Sequence, residues 1–587
     1  MNTFAILGLC CALILVDLSC RQRAQNSSPQ DQTQALQSQT GLQSALPSLK
    51  TGAQHFLSHE DLTANSAEVL IGQRLFRETR FSQFFYVNST GNPNAELHAD
   101  ESIMKYIKTP AGSTPNPYAH LGGINCAGCH LIDEAKTVNG AGMRSYTDFL
   151  PRSFIPDRGE GLATTLRNAP TMVNFANYKG RLNLFHSDGQ FGTLEALVGE
   201  TFVGRNFGWL PTETSLAKKN LATVIRLDSG LGALARDYGG AYAKILLGED
   251  PSISGSFHLP PEYRIDVTRA SDAEIAKAIS KLVAKFIESL KYATDSDGVY
   301  NGSPYDLFLK NNQLPQRPAA NESDRAYGAR LLNDLEHLKK IRFISPLEKS
   351  FSFQTQEFFF GESELTGLKL FLATNGANGR DAGNCVHCHS PPHFTDFSFH
   401  NTGLSQIEYD SIHGQGKFLS LPIPTLTLRN KNPLLLPATS EHPLSLGVYA
   451  QIPTAGNPAL VDLGFWNVFA NPDSSAQSSQ LEIGRQLCEE IRTQDKKSPC
   501  DNAELLSRAI ARFKTPSLRD LGQSGPYGHN GSFQKIDEAV DFYRKVSELQ
   551  RHSQLRNGDK ALENIHLTEN SVLALSAFLR SLNEDYH

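Results

Sequence analysis

The sequence predicts a mainly α fold made of two tandem copies of one helical module with long loops and insertions, and three observations lead there. Apolar residues recur at helical spacing, plainly in Asp272 to Tyr292 (DAEIAKAISKLVAKFIESLKY), whereas strand-like alternation is scarce. The 587 residues exceed what a single hydrophobic core organises. A set of short segments also recurs in the same order along the chain. Hydrophobic residues make up 40% and charged residues 20%, enough apolar material for globular cores rather than a disordered chain. The 55 Lys and Arg against 61 Asp and Glu leave a net charge of −6, so there is no basic surplus to attract nucleic acid.

The elements follow in order. Residues 1–20 read as a signal peptide: Phe4 to Val16 (FAILGLCCALILV) is thirteen apolar and small residues, where a membrane crossing needs about twenty. Ser19-Cys20 is the junction of a lipoprotein signal, which makes Cys20 a candidate lipid anchor, with ordinary cleavage as the alternative. Residues 21–60 read as a solvated, disordered tether, since Arg21 to Lys50 holds no aromatic residue. The first module is expected over 61–312, a connection over 313–360 and the second module over 361–587. Gly72-Gln73-Arg74-Leu75-Phe76 opens the first and Gly367-Leu368-Lys369-Leu370-Phe371 the second. Ala169-Pro170-Thr171-Met172 parallels Thr515-Pro516-Ser517-Leu518, and DGQFGTLEALV from Asp188 parallels NGSFQKIDEAV from Asn530 without a gap. His529 is expected to parallel His186, both as turn residues. The segments 203–270 and 405–510 have no counterpart and read as insertions.

Each module carries a C-x-x-C-H sequence: Cys126-Ala127-Gly128-Cys129-His130 and Cys385-Val386-His387-Cys388-His389. This is the c-type haem attachment pattern. Two thiols add to the porphyrin vinyl groups, and the next residue sets an imidazole beneath the iron. A zinc site or two redox disulfides would not require a His directly after each second Cys. The expectation is therefore two tandem cytochrome c-like haem domains with two covalently bound haems c, His130 and His389 being the proximal iron ligands. Covalent haem attachment agrees with the signal peptide in pointing to the periplasm or the periplasmic side of a bacterial membrane. Cys488 and Cys500 enclose a short charged loop and are expected to form a disulfide, with a free thiol pair as the alternative.

On these residues the chain resembles the bacterial di-haem cytochrome c peroxidase and MauG superfamily. The carriers are IGQRLFRETRFSQ from Ile71, both C-x-x-C-H sites, RNAPTMVN from Arg167, HSDGQFGTLEAL from His186, FTDFSFHNTGL from Phe394 and the stretch from Phe513 to Tyr543. The resemblance implies a periplasmic oxidoreductase in which the first haem meets hydrogen peroxide and the second, electron-transfer haem exchanges electrons with it. The partner it implies is a small electron-donor protein (a cytochrome c or cupredoxin) or a protein substrate. It further implies a calcium ion held by the Asn168 side chain and the carbonyls of Ser524 and Pro526, hard oxygen donors. Where the peroxidases carry a Met ligand to the second iron this chain has Tyr543, as MauG-type proteins do, and His529 is the competing ligand. The family's Trp, Gln and Glu fall on Ser187, Leu197 and near Phe207, so the peroxide acid/base set is missing. Glu200 is the nearest substitute base, with Arg205 or Trp209 to polarise the pocket. Two alternatives stand beside peroxide reduction: MauG-like oxidation of a protein or organic substrate, and a non-catalytic electron-transfer cytochrome.

Overall fold

The computed structural model describes residues 65–97, 106–109, 112–115, 124–130, 132–133, 144–145, 152–345 and 358–584, apart from 154, 161, 177, 179–180, 375, 377–380, 475 and 496–499. The leader, Cys20 and the tether lie outside the described residues. The chain from Leu57 onward forms one compact unit. It is mostly helical, and its described strands are three antiparallel pairs of two to four residues, among them Phe399–His400 with Phe513–Lys514. No described helix is long and apolar enough to cross a membrane.

The repeated segments build the same local structure twice. The opening helix Ala67–Phe76 crosses the closing helix Asp272–Ser289, and the opening helix Glu362–Leu372 crosses the closing helix Glu569–Arg580. Both crossings need a glycine. A Cβ on Gly72 would overlap the Leu282 carbonyl oxygen and stand 2.9 Å from the Phe286 Cβ; on Gly367 it would overlap the Ala574 carbonyl oxygen and stand 2.7 Å from the Phe578 Cβ. A Phe four residues after each Gly then packs edge-on against the closing helix, Phe76 on Phe286 with ring centroids 5.3 Å apart and Phe371 on Phe578 at 5.2 Å.

The turns match as closely. Phe185 pairs with Phe191 across the first turn, and Tyr527 with Phe533 across the second. Gly189 and Gly531 take the left-handed conformation at φ 73° and 68°, and the following helices start at Leu194 and Ile536. This register corrects the expected pairing of histidines. His186 (φ 65°) corresponds to Gly528 (φ 85°), the other left-handed corner, and His529 corresponds to Ser187. The two copies join reciprocally through these positions. The Asn168 amide of the first donates to the His529 carbonyl (2.9 Å), and the Lys514 amide of the second to the Ser187 carbonyl (2.7 Å).

Three further outcomes bear on the expected elements. The helix expected to reach Tyr292 ends at Ser289, because Leu290 turns extended and its carbonyl accepts from the Asn174 amide (2.7 Å), which frees Tyr292 to turn inward. The stretch 313–360 is more than a connection: helix Asp324–Glu336 buries Tyr327, Leu331 and Leu335 in one core with Leu368, Phe371 and Phe578 of the C-terminal half. The insertion 405–510 has its own core around Trp466, Phe465 and Tyr409, to which Leu184 of the first copy also belongs. Cys488 and Cys500 are disulfide-bonded across the insertion's last helices, with Cα atoms 5.5 Å apart.

Candidate functional site: one cavity shared by two C-x-x-C-H segments

Both C-x-x-C-H segments open on a single cavity of about 720 Å³, within the range of about 300–1,000 Å³ usual for cofactor sites. In the first, Asn125 caps the short helix Cys126–Cys129 by accepting from the Gly128 amide (3.0 Å), and its side-chain amide donates to the Arg77 carbonyl (2.8 Å), which ties the segment to the end of the opening helix. In the second, the Asn384 side chain donates to the Ala561 carbonyl (2.8 Å). None of the four cysteines is engaged in the disulfide, which is Cys488–Cys500. Burial, reinforced by the neighbouring thiol, pushes Cys126 and Cys385 up to about 12, so both stay protonated.

The two histidines are oriented alike. His130 Nδ1 lies 2.9 Å from the Pro170 carbonyl oxygen and His389 Nδ1 lies 3.1 Å from that of Phe394. A carbonyl only accepts, so each Nδ1 carries the proton and donates, and each Nε2 keeps its lone pair. Burial holds both rings neutral, His130 down to about 4 against the opposing pull of the Pro170 carbonyl. This is the outer-shell bond by which metal-binding histidines are steered. The residues thus fit two haems: paired thiols, an aimed imidazole beside each pair, and an apolar cavity that takes in both.

Tyr543 lines this cavity from helix Ile536–Arg551, where burial raises its phenol and the nearby Cys388 and Cys385 add to the shift. In the matching register its counterpart in the first copy is Thr201, which lines the same cavity but turns its hydroxyl back to the Leu197 carbonyl (2.8 Å). The long phenol in one copy and the short, self-satisfied hydroxyl in the other make the two halves of the cavity unequal. His529, the competing ligand, also lines the cavity, but its ring is stacked on Phe513 at 3.5 Å and burial lowers it to about 3.

Asn168, Ser524 and Pro526 all line the cavity, and Asn168 meets Pro526 at the join of the copies. The Asn168 amide nitrogen is 2.5 Å from the Pro526 carbonyl oxygen, and its own oxygen is buried with no partner. An orphaned amide oxygen beside a backbone carbonyl suits a hard cation.

The proposed acid/base group is not brought to the site. Glu200 is exposed on helix Leu194–Val203, outside the cavity lining, because Leu194, Leu197, Val198 and Thr201 form the inner face and position 200 falls on the other side. Trp209 is fully buried elsewhere, its indole donating to the Phe81 carbonyl (3.0 Å), and Arg205 bonds the Pro156 carbonyl (2.8 Å) and Glu160; neither lines the cavity. The carboxylates that do line it are engaged. Asp188 pairs with Arg167 (2.6 Å), which also grips Asp462 across the copies (2.6 Å), and Asp559 is 2.5 Å from His400. His186 lines the cavity next to Asp188, held neutral by burial. Its side-chain direction depends on the left-handed corner it occupies, which the sequence reading of it as a plain turn residue did not capture.

Fold and site together define a mainly helical protein with two C-x-x-C-H centres facing one cavity. The resemblance of the chain to the di-haem cytochrome c peroxidase and MauG superfamily holds in comparison with curated proteins. It is 27% identical to the cytochrome-c peroxidase IdrP2 of Denitromonas iodatirespirans over 163 residues, 28% of each chain. It is 35% identical to IdrP2 of Pseudomonas sp. (strain SCT) over 78 residues, 13% of this chain and 19% of that one. The chain thus matches little more than a quarter of the length of the first of these relatives and about a fifth of the second. Among solved structures, a MauG-like protein associated with microbial copper homeostasis is 16% identical with a TM-score of 0.40, covering 89% of this chain and 90% of that one. The diheme peroxidase BthA from Burkholderia thailandensis is 15% identical with a TM-score of 0.39, covering 90% and 89%. No family model matches the chain.

Proposed function

We propose that the chain is a periplasmic di-haem c-type oxidoreductase that reacts with hydrogen peroxide at its first centre and relays electrons between two centres. The observation that carries this reading is the asymmetry at equivalent positions, Thr201 in the first copy and Tyr543 in the second. In this reading Cys126 with Cys129 and Cys385 with Cys388 would hold the haems, His130 and His389 would ligate the irons through Nε2, and Tyr543 would be a further ligand in the second half. Thr201, its hydroxyl turned back to Leu197, would leave the first half of the cavity free for hydrogen peroxide. When bound, the haems supply the redox chemistry; the chain supplies orientation, by the carbonyls of Pro170 and Phe394, and an apolar enclosure that sheds water. Asn168 and the carbonyls of Ser524 and Pro526 would hold a calcium ion that pins the join. The signal-like leader supports export, with Cys20 as the anchor if the leader is of the lipoprotein type.

A second reading, MauG-like oxidation of a protein or organic substrate, is favoured by the lack of a free carboxylate among the described residues that line the cavity. Without a placed base, cleavage of the peroxide bond forgoes about 10²- to 10⁴-fold in rate. Stopped-flow spectra with hydrogen peroxide, in the ferric and half-reduced protein, test both. One five-coordinate iron that reacts with peroxide supports the proposal, and fast turnover of cytochrome or cupredoxin donors favours the first reading over the second. Two six-coordinate, unreactive irons would leave an electron carrier.

A further inference from the structure

Outside the haem-binding residues, the join of the two copies holds an aromatic cluster that nothing above uses. Tyr178 lines the cavity. Its ring meets His393 edge-on at a centroid distance of 5.3 Å and Phe397 at 4.5 Å. His393 is hydrogen-bonded on its far side, Nδ1 lying 2.9 Å from the Tyr300 hydroxyl. Tyr300 is half-buried, contacts Tyr292 at 6.2 Å and lies under the Arg519 guanidinium at 4.0 Å. Arg519 is itself neutralised by Asp306 (2.9 Å) and Glu584 (2.7 Å). Tyr178, Tyr292 and Tyr300 come from the first copy, His393, Phe397 and Arg519 from the second.

A phenol gives up an electron readily only if its proton has somewhere to go, because the oxidised phenol is a strong acid. Tyr300 has that outlet in His393. Burial and the nearby Arg519 and Arg181 hold the His393 imidazole neutral, at about 4, and in the tautomer with its proton on Nε2 the Nδ1, 2.9 Å from the Tyr300 hydroxyl, accepts from it. The Asn174 amide nitrogen, 3.4 Å from the Tyr300 oxygen, is a donor and cannot take the proton. The rings between Tyr300 and the cavity follow one another at distances usual for aromatic contact, about 4.5–7 Å.

Resting on the peroxide-reactive reading above, we propose that Tyr300 and His393 form a proton-coupled redox site. Through it an oxidising equivalent passes from the cavity, by way of Tyr178, to the partly buried Tyr300 ring, at whose accessible edge an external one-electron donor is oxidised. The step balances. Tyr300 loses one electron to the iron centre that peroxide has oxidised, which is reduced by one electron; its hydroxyl proton moves to His393 Nδ1, leaving a neutral phenoxyl and an imidazolium. The external donor, a small organic reductant or an exposed side chain of a partner protein, then returns one electron to Tyr300, and His393 returns the proton. Two such cycles use one hydrogen peroxide.

The test uses the di-haem holoprotein and two oxidants. Hydrogen peroxide is mixed and frozen for electron paramagnetic resonance, and in a separate sample a photogenerated ruthenium polypyridyl oxidant acts on the ferric protein, with spin-trap adducts mapped by peptide mass. The expected result is a tyrosyl signal that narrows when tyrosine is ring-deuterated, with the adduct on Tyr300. It is lost in Tyr300→Phe and forms about 100-fold more slowly in His393→Gln, the low end of what a placed proton acceptor contributes. Haem content and ferric spectra of both variants serve as the control for folding. If only the photo-oxidant places the radical on Tyr300, the site stands and the peroxide reading fails. A radical that persists in Tyr300→Phe, or an adduct on other tyrosines with both oxidants, overturns the proposal.

Discussion

Substituting Gly367 by Ala tests whether the C-terminal half is built on a glycine-dependent helix crossing. The added methyl would overlap the Ala574 carbonyl oxygen and approach the Phe578 Cβ to 2.7 Å. The obstacle is backbone, so no rotamer change relieves it and the two helices must separate. Overpacking of this kind costs about 1–3 kcal/mol, and a backbone clash belongs at the upper end. Alanine returns about 1 kcal/mol of helix propensity, so the net loss is about 2 kcal/mol. At roughly 2–4 °C per kcal/mol for a 150–250-residue unit, the melting midpoint of this half drops by about 4–8 °C. Differential scanning calorimetry of the holoprotein reads it directly. Gly72→Ala should lower the stability of the first half by a similar amount, since the Leu282 carbonyl stands in the same relation to it. Gly456→Ala, with nothing within 4 Å of the added carbon, serves as the control. A neutral or stabilising Gly367→Ala would mean that the helices do not cross as closely as described, and the argument for two equivalent modules would lose its main support.

Other outcomes follow from the site and its surroundings. Tyr543→Phe should change the ferric spectrum and raise the reduction potential of one haem only, as redox titration would read; an unchanged spectrum returns Tyr543 to a packing role. Glu200→Gln should leave peroxide consumption within about twofold of the parent, since a group outside the cavity cannot shuttle its protons; a drop of about 100-fold or more, the scale of a lost general base, would restore the sequence reading. Burial would raise the Glu78 carboxyl, but the charges and hydrogen bonds of Arg80, with the charge of Arg74, hold it at about 2. Its folded value lies below its unfolded one, so its contribution is complete above about 4.5 and is lost as pH falls from there toward 2. Denaturant titrations at pH 6 and pH 3 should therefore differ less in Glu78→Gln than in the parent.

What was legible in the sequence were the features tied to local pattern. Both glycine crossings fall inside segments that repeat, Gly72 with Phe76 and Gly367 with Phe371, and the Cys488–Cys500 pairing was visible from spacing. What was not legible depends on contacts far apart in the chain. The reciprocal bonds of Asn168 with His529 and Lys514 with Ser187 settle which turn residues are equivalent, and a single-strand reading misplaced His186 by one position. Glu200 looked like the nearest acid in sequence, but which side of a ten-residue helix meets the cavity is decided by what packs on it. Tyr178, Tyr300 and His393 lie more than ninety residues from one another and carry no motif, so only the fold gathers them.

The disulfide has a consequence for how the molecule comes into being. In the proposed di-haem reading, Cys488 and Cys500 are oxidised while Cys126, Cys129, Cys385 and Cys388 would have to reach their porphyrin as thiols. Six cysteines allow 15 complete pairings. Short loops close most easily, and three local pairs compete: the one that belongs in the finished protein and the two that would seal a C-x-x-C against haem. On that reading maturation would run under opposed redox demands, with a reductant kept at the two short loops while an oxidant closes the third. A chain that oxidises to completion before it meets haem would fold its insertion correctly and be barred from both centres.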